Sequence, residues 1–230
     1  MDVIAIKYCF TFKDGSQQVF NLQLDAQKLE LLGNTPESLP LWTKLDFHQC
    51  PNCSITTRTH SHCPMAVGLV KIVMFFNGFQ SHDEVHLDVF TERRIISQDT
   101  TVQKGVSSLM GLIIATSGCP RADFFRPMAW YHMPLASVEE TIFRAASTYL
   151  LMQYFLKKEG KNTDPELEGL RNIYQNMHTV NVAVKGRIQA ATETDSSLNA
   201  VILLDLFAQA LPLAIDKSLS DLRNLFAPFL

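Results

Sequence analysis

Residues 3–25 read VIAIKYCFTFKDGSQQVFNLQLD, and this stretch decides how the chain begins to fold. Ile4, Ile6, Tyr8, Phe10 and Phe12 occupy every second position, which puts them on one face of an extended strand. Asp14-Gly15 supplies turn chemistry, and Val19, Phe20, Leu22 and Leu24 follow on the return. The pattern predicts a half-buried β-hairpin, with Cys9 as a core residue in its first strand.

Working outward, Asp25 to Leu32 suits a short helical turn, and Gly33-Asn34-Thr35-Pro36 reads as a loop because glycine and proline both interrupt regular structure. Trp42 to Phe47 is a candidate third strand. From Pro64, the residues Ala66, Leu69, Val70, Val73, Met74 and Phe76 would cover most of a buried helix that tolerates proline in its first turn. Val85, Leu87 and Val89 alternate with His86, Asp88 and Phe90, and the Glu92–Thr101 segment can return beside them as a second hairpin. Val102 to Thr116 is again helical, with Val106, Leu109, Met110, Leu112 and Ile113 on one face and Ser117-Gly118 as its stop.

Past Pro134 the texture changes. Ser137-Val-Glu-Glu140 is a capping box, in which a hydroxyl and a carboxylate satisfy otherwise unpaired backbone amides. The helix it opens runs from Val138 to Lys158, with Ile142, Ala145, Ala146, Tyr149, Leu150, Gln153 and Leu156 facing inward and Gly160 closing it. Asp164-Pro165 is read as the start of the next, whose buried stripe is Leu167, Leu170, Ile173, Tyr174 and Met177. Leu198–Ala210 and Leu219–Phe226 are read as two more helices, the last with Ser218 ahead of it and Asp221 three residues on. The expectation is an α+β protein: N-terminal β-hairpins with two buried helices over residues 1–135, then an all-helical bundle over residues 136–230, sharing one core.

Apolar residues make up 47% of the 230-residue chain and charged residues 19%, which excludes extended disorder as the main state. Twenty Lys and Arg against 23 Asp and Glu form no basic cluster, so nucleic-acid binding driven by counterion release is not expected. The longest apolar stretches, Met65–Phe76 and Leu109–Ala115, fall short of the ~20 residues that cross a bilayer. An acidic, strand-like N-terminus is unlike a signal peptide. A cytoplasmic protein without membrane or nucleic-acid partners is the expectation, and the protein partner stays open.

The chemistry lies in the cysteines. Cys50-Pro-Asn-Cys53 is followed by Cys63 and then Cys119, and three of these four are directly followed by proline. Disulfides are disfavoured in the expected compartment, which raises metal binding or redox chemistry. A C-x2-C turn aims two sulfurs at one point, and Cys63 and Cys119, each at the end of an expected helix, complete a tetrahedral set suited to structural zinc. An iron–sulfur cluster for electron transfer or redox sensing is the alternative, since proline also follows cluster-binding cysteines. His60 or His62 could replace one thiol. A Cys50–Cys53 dithiol oxidoreductase is the weaker reading, because Ser54-Ile-Thr-Thr-Arg-Thr59 is poor in helix formers and so offers no helix N-terminus to activate a thiol.

Other polar groupings carry less. His82, Glu84, His86 and Asp88 would share one strand face, which conceivably holds a second metal but more simply forms the solvated side of a hairpin. Arg121, Asp123, Arg126, Trp130, Tyr131 and His132 follow Cys119 and are read as a proline-braced surface loop, with a pocket as the alternative. Hydrolase and nucleotide-binding signatures are missing from the sequence.

Gln49-Cys-Pro-Asn-Cys53, Cys63-Pro-Met-Ala66, the run from Thr100-Thr-Val-Gln103 through Ser117-Gly-Cys-Pro120, and Pro127-Met-Ala129 together resemble a bacterial family of unknown function, over nearly the whole chain. That resemblance implies a single cytosolic module and adds no substrate. Ser54 stands after Cys53 where proline would be expected from the resemblance, a departure that touches none of the four thiols.

Overall fold

The computed structural model describes residues 2–33, 36 and 38–230, apart from the side chains at 210, 211 and 213–221 in the last helix. Asn34 and Thr35 of the expected loop therefore lie outside the described residues, as do the side chains of Ser218 and Asp221.

Strands β1 (Val3–Phe12) and β2 (Gln17–Asp25) form the first hairpin. Helix α1 (Pro64–Phe76) follows, then β3 (Glu84–Thr91) and β4 (Ile95–Thr101). The two hairpins join through β1 and β3 into one antiparallel sheet of order β2-β1-β3-β4. Tyr8 sits opposite Phe20 on one side and Val89 on the other, so the apolar sets of three strands fall in register on one face. Ile6, Tyr8, Phe10, Leu22, Leu24, Leu87 and Val89 are buried there. Helices α1 and α2 (Val102–Ala115) belong to the same apolar cluster. Cys9 is buried too, but strand alternation points it away from Tyr8 and Phe10.

Phe10 is the centre of this packing. Its ring meets Phe76 of α1 edge-on at 5.1 Å and Phe20 at 6.0 Å, a geometry aromatic quadrupoles favour. Gly105 of α2 lies against the same ring: a Cβ there would come within 2.7 Å of Phe10 Cε1. The α1 helix is less completely covered than its sequence suggests, because Met74 is exposed.

A short helix α3 (Arg126–Trp130) leads to α4 (Val138–Lys158), α5 (Glu168–Gln189) and α6 (Ser196–Leu222). The capping box is formed: the Glu140 amide donates to Ser137 Oγ, and the Ser137 amide donates to Glu140 Oε2. Gly160 closes α4 in the left-handed region, its own amide donating to Lys157 and that of Lys161 to Leu156, the paired bonds of a Schellman end. Leu150, expected inward, is exposed. Helix α5 packs on α6, and α6 also packs on α2. The start of α6 is bonded back to the end of α1, with Ser196 Oγ donating to the Phe76 carbonyl at 2.7 Å.

Several expectations are corrected. The 41–47 segment is no strand but a 3-10 turn at Leu41–Thr43 with an isolated bridge from Lys44 to His62. The chain after β2 makes a turn braced by Asp25, whose Oδ1 accepts from the amides of Gln27 and Lys28. Helix α5 starts at Glu168 rather than at Pro165, after Leu167 in a left-handed conformation. Asp164 still serves its first turn, accepting from the Gly169 amide at 2.7 Å and from Tyr149 Oη at 2.8 Å. The two expected C-terminal helices are one, α6, which continues through Pro212 and is followed by a 3-10 segment, Arg223–Phe229.

Candidate functional site

The 41–63 segment has little regular structure, so what positions its cysteines must be side chains reaching in from elsewhere. Arg187 of α5 is the main one. It is fully buried, and its guanidinium donates to the carbonyls of Trp42 (2.7 Å), Lys44 (2.7 Å) and Leu45 (3.0 Å). Asn52, between the two cysteines of the C-x2-C turn, donates from Nδ2 to Asn176 Oδ1 of α5 at 3.0 Å. Arg121, two residues past Cys119, donates from Nε to the Asn52 carbonyl at 2.6 Å. The turn itself is closed by the Cys53 amide donating to the Cys50 carbonyl. His48, with positive φ, lies on α5 at Gly186, where an added Cβ would come within 3.0 Å of its Nδ1.

These tethers bring the four predicted thiols into one neighbourhood. The Cys50 thiol is pushed up to about 12, first by burial and then by the charges of Cys63, Cys119 and Cys53, while Arg187 pulls it down. Burial also pushes Cys119 up to about 11; the backbone amides of Arg121 and Ala122 oppose this, and Cys63 and Cys53 add to it. Cys63 precedes α1 as its N-cap, where the unpaired amides and the helix dipole favour negative charge. Residues 69 positions apart in the chain are thus electrostatic neighbours, and each end of the set has a source of positive potential.

The neighbourhood is not a closed donor set. Among the described residues, no three or more His, Cys, Asp or Glu side chains are grouped so as to hold a metal ion. All five cysteines are free. His62 Nδ1 is hydrogen-bonded to Thr43 Oγ1 at 2.9 Å and His60 Nδ1 to Thr59 Oγ1 at 3.0 Å, so each imidazole already has one ring nitrogen engaged by a hydroxyl.

A family model described as a domain of unknown function, DUF6901, matches residues 6–227. The chain belongs to the DUF6901 family. No curated protein and no solved structure matches it. Among the described residues, no helix of this DUF6901 chain is long and apolar enough to cross a membrane.

The remaining polar groupings resolve in different ways. On β3, His86 is held by Asp99 at 2.6 Å and lies 3.5 Å from Asp88; the hydrogen bond to Asp99 raises its pKa, and Glu84 and His82 are exposed. This is the solvated face of a hairpin. The segment after Cys119 is not a surface loop: it forms a 3-10 turn at Asp123–Phe125 and then α3, and buries Ala122 and Ala129. Phe125 packs edge-on against Tyr174. Of the six residues singled out there, His132 alone lines a cavity of about 440 Å³ bounded by α2, α3, α4, α5 and α6.

His132 Nε2 is hydrogen-bonded to the hydroxyl of Tyr8, which in turn lies 3.0 Å from Ser108 Oγ; Ser108 accepts from the Leu135 amide. Burial, aided by the nearby Arg144, pushes the imidazole down to about 3, so it is neutral at physiological pH. Burial likewise raises the Tyr8 phenol, which stays protonated. Sequence reasoning missed the rest of the cavity wall. A signal existed for one member: Asn181 falls on the α5 stripe of Leu170, Tyr174, Met177, Val184 and Ile188, a polar residue where the helical period calls for an apolar one.

Proposed function

We propose that this protein is a zinc-stabilised module in which Cys50, Cys53, Cys63 and Cys119 hold one ion, serving as a scaffold or interaction unit. The observation that carries the reading is that Cys50 feels the charges of Cys53, Cys63 and Cys119, and Cys119 those of Cys53 and Cys63, across the 50–63 loop and the turn after α2. An all-sulfur donor set suits zinc, which takes four thiolates in closed structural sites. Positive potential from Arg187, the α1 N-terminus and the amides of Arg121 and Ala122 supports the net negative charge that four thiolates around a divalent ion would carry. When bound, the ion supplies cross-linking between segments that have no core of their own, and binding free energy becomes folding free energy, on the order of 10 kcal/mol before costs. A thiol raised to about 12 makes a poor nucleophile at neutral pH, which argues against the dithiol oxidoreductase.

Metal analysis of the purified full chain tests this. One zinc per chain in a colourless protein, with metal lost in Cys119→Ser, is the expected result. Visible charge-transfer absorbance after anaerobic purification would instead identify an iron–sulfur cluster on the same thiols. Full zinc occupancy in Cys119→Ser would remove Cys119 from the set, and reversible Cys50–Cys53 oxidation with no stoichiometric metal would overturn the reading altogether.

A further inference from the structure

The cavity is built of two kinds of wall. Its body is apolar, with Leu112, Phe125, Met128, Met177, Leu204 and Phe207 among its lining residues. Its volume falls within the ~300–1,000 Å³ of pockets that take a drug-sized ligand. Among the described residues no Asp or Glu lines it, whereas Lys104 and Arg144 do.

Two polar groups on this wall are incompletely satisfied. Arg144, half-buried, donates from Nη2 to the carbonyls of Met128 (2.9 Å) and Tyr131 (3.3 Å), and among the described residues it has no carboxylate within ion-pair distance. Glu140, one turn earlier, is near enough to feel its charge but accepts the Ser137 amide. Tyr174 is 4% exposed, and its hydroxyl has no hydrogen-bond partner among the described residues. Asn181, 3% exposed, is turned the other way: its Nδ2 donates to Asp205 Oδ1 at 3.3 Å, and its Oδ1 is buried out of reach of the cavity. Buried polar groups are nearly always paired, so a hydroxyl and a guanidinium left open on a cavity wall mark a place where a bound molecule completes the bonding. Arg144 couples electrostatically to both Tyr174 and His132, and all three line the cavity.

We propose that this cavity binds a small amphipathic monocarboxylate, with the carboxylate on Arg144 and Tyr174 and the hydrocarbon body against the Leu, Met and Phe wall. A guanidinium and a phenol are both donors, which suits an acceptor-only carboxylate and not an ammonium group. His132 Nε2 is taken by Tyr8, so the imidazole contributes shape and neutrality rather than charge. The proposal is independent of the thiol site, none of whose cysteines lines the cavity.

The test is titration of the full chain with three probes of one tail length: octanoate, octan-1-ol and octylammonium. Octanoate is expected to saturate one site per chain at least tenfold more tightly than either other probe. Arg144→Gln and Tyr174→Phe should each weaken octanoate at least fivefold and leave octanol unchanged. Should Arg144→Gln fail to fold, because it also releases two carbonyls, Tyr174→Phe decides alone, since the hydroxyl it removes has no hydrogen-bond partner among the described residues. Octanol or octylammonium binding as tightly as octanoate, no saturable octanoate binding, or a Tyr174→Phe protein that binds octanoate like the wild type would each overturn the proposal.

Discussion

The sheet side of the molecule and its cysteine side are held together by opposite means. Around Phe10, rings and aliphatic chains from β1, β2, β3, α1 and α2 pack into one cluster. In the 41–63 segment, a few polar side chains hold the backbone by its carbonyls, and Arg187 alone serves three of them. Many weak apolar contacts spread the consequence of losing one. A buried cation serving three carbonyls concentrates it, because each acceptor left unpaired carries a desolvation penalty of about 1–3 kcal/mol.

Arg187→Met should therefore have the largest effect, about 5 kcal/mol. Amide hydrogen exchange should show protection lost first across residues 41–63 while β1 and β3 remain protected. Uniform loss across both regions would mean that the two sides fold as one unit and the contrast is false. Phe10→Ala comes next, at about 4 kcal/mol by cavity formation, and here urea unfolding should lose stability with protection falling everywhere in parallel.

A smaller effect separates the helical cavity from both. His132 is held neutral and pushed down to about 3 in the folded chain, against an ordinary value near 6.5 in the unfolded one. Between those values the unfolded state binds the extra proton, so this contribution is complete above pH ~6.5 and is lost as pH falls toward 3. From pH 7 to pH 5 the loss should be about 1–2 kcal/mol, and urea titrations of His132→Phe should lack that component. The exposed His86, raised by Asp99, works in the opposite sense and is present in both proteins. Ser137→Ala should cost least, about 1 kcal/mol, as a lost N-cap. A thermal melt shifted no more than for a surface substitution would show that the α4 cap is dispensable.

What could be read from the chain beforehand follows from where the organising contacts are. The β1–β2 hairpin, the second hairpin and the Ser137 capping box announce themselves because alternation and capping are local, spanning residues at most a few positions apart. Trp42 to Phe47 misleads for a nonlocal reason. It reads as a candidate third strand, but the carbonyls a strand would pair in a ladder are taken by Arg187. Asp164-Pro165 misplaces the start of α5 because Asp164 caps from outside the helix, across Leu167. Leu198–Ala210 and Leu219–Phe226 read as two helices where α6 runs on through Pro212, packed on α2 and α5. For the candidate sites, the four thiols stood out by residue type and spacing. Arg144 and Tyr174 did not, since nothing in an amphipathic helix tells which inward-facing position opens on a void.

The bond between Arg187 and the Trp42 carbonyl spans 145 residues, and this has a consequence for synthesis. At roughly 5–20 residues per second, a ribosome needs roughly 7–30 s between making one end and the other. Throughout that interval Cys50 and Cys53 have no finished shelter, so the nascent polypeptide presents them to whatever oxidants or metal donors surround it. Chains stalled before residue 187 should accordingly be alkylated at Cys50 much faster than the released, full-length product.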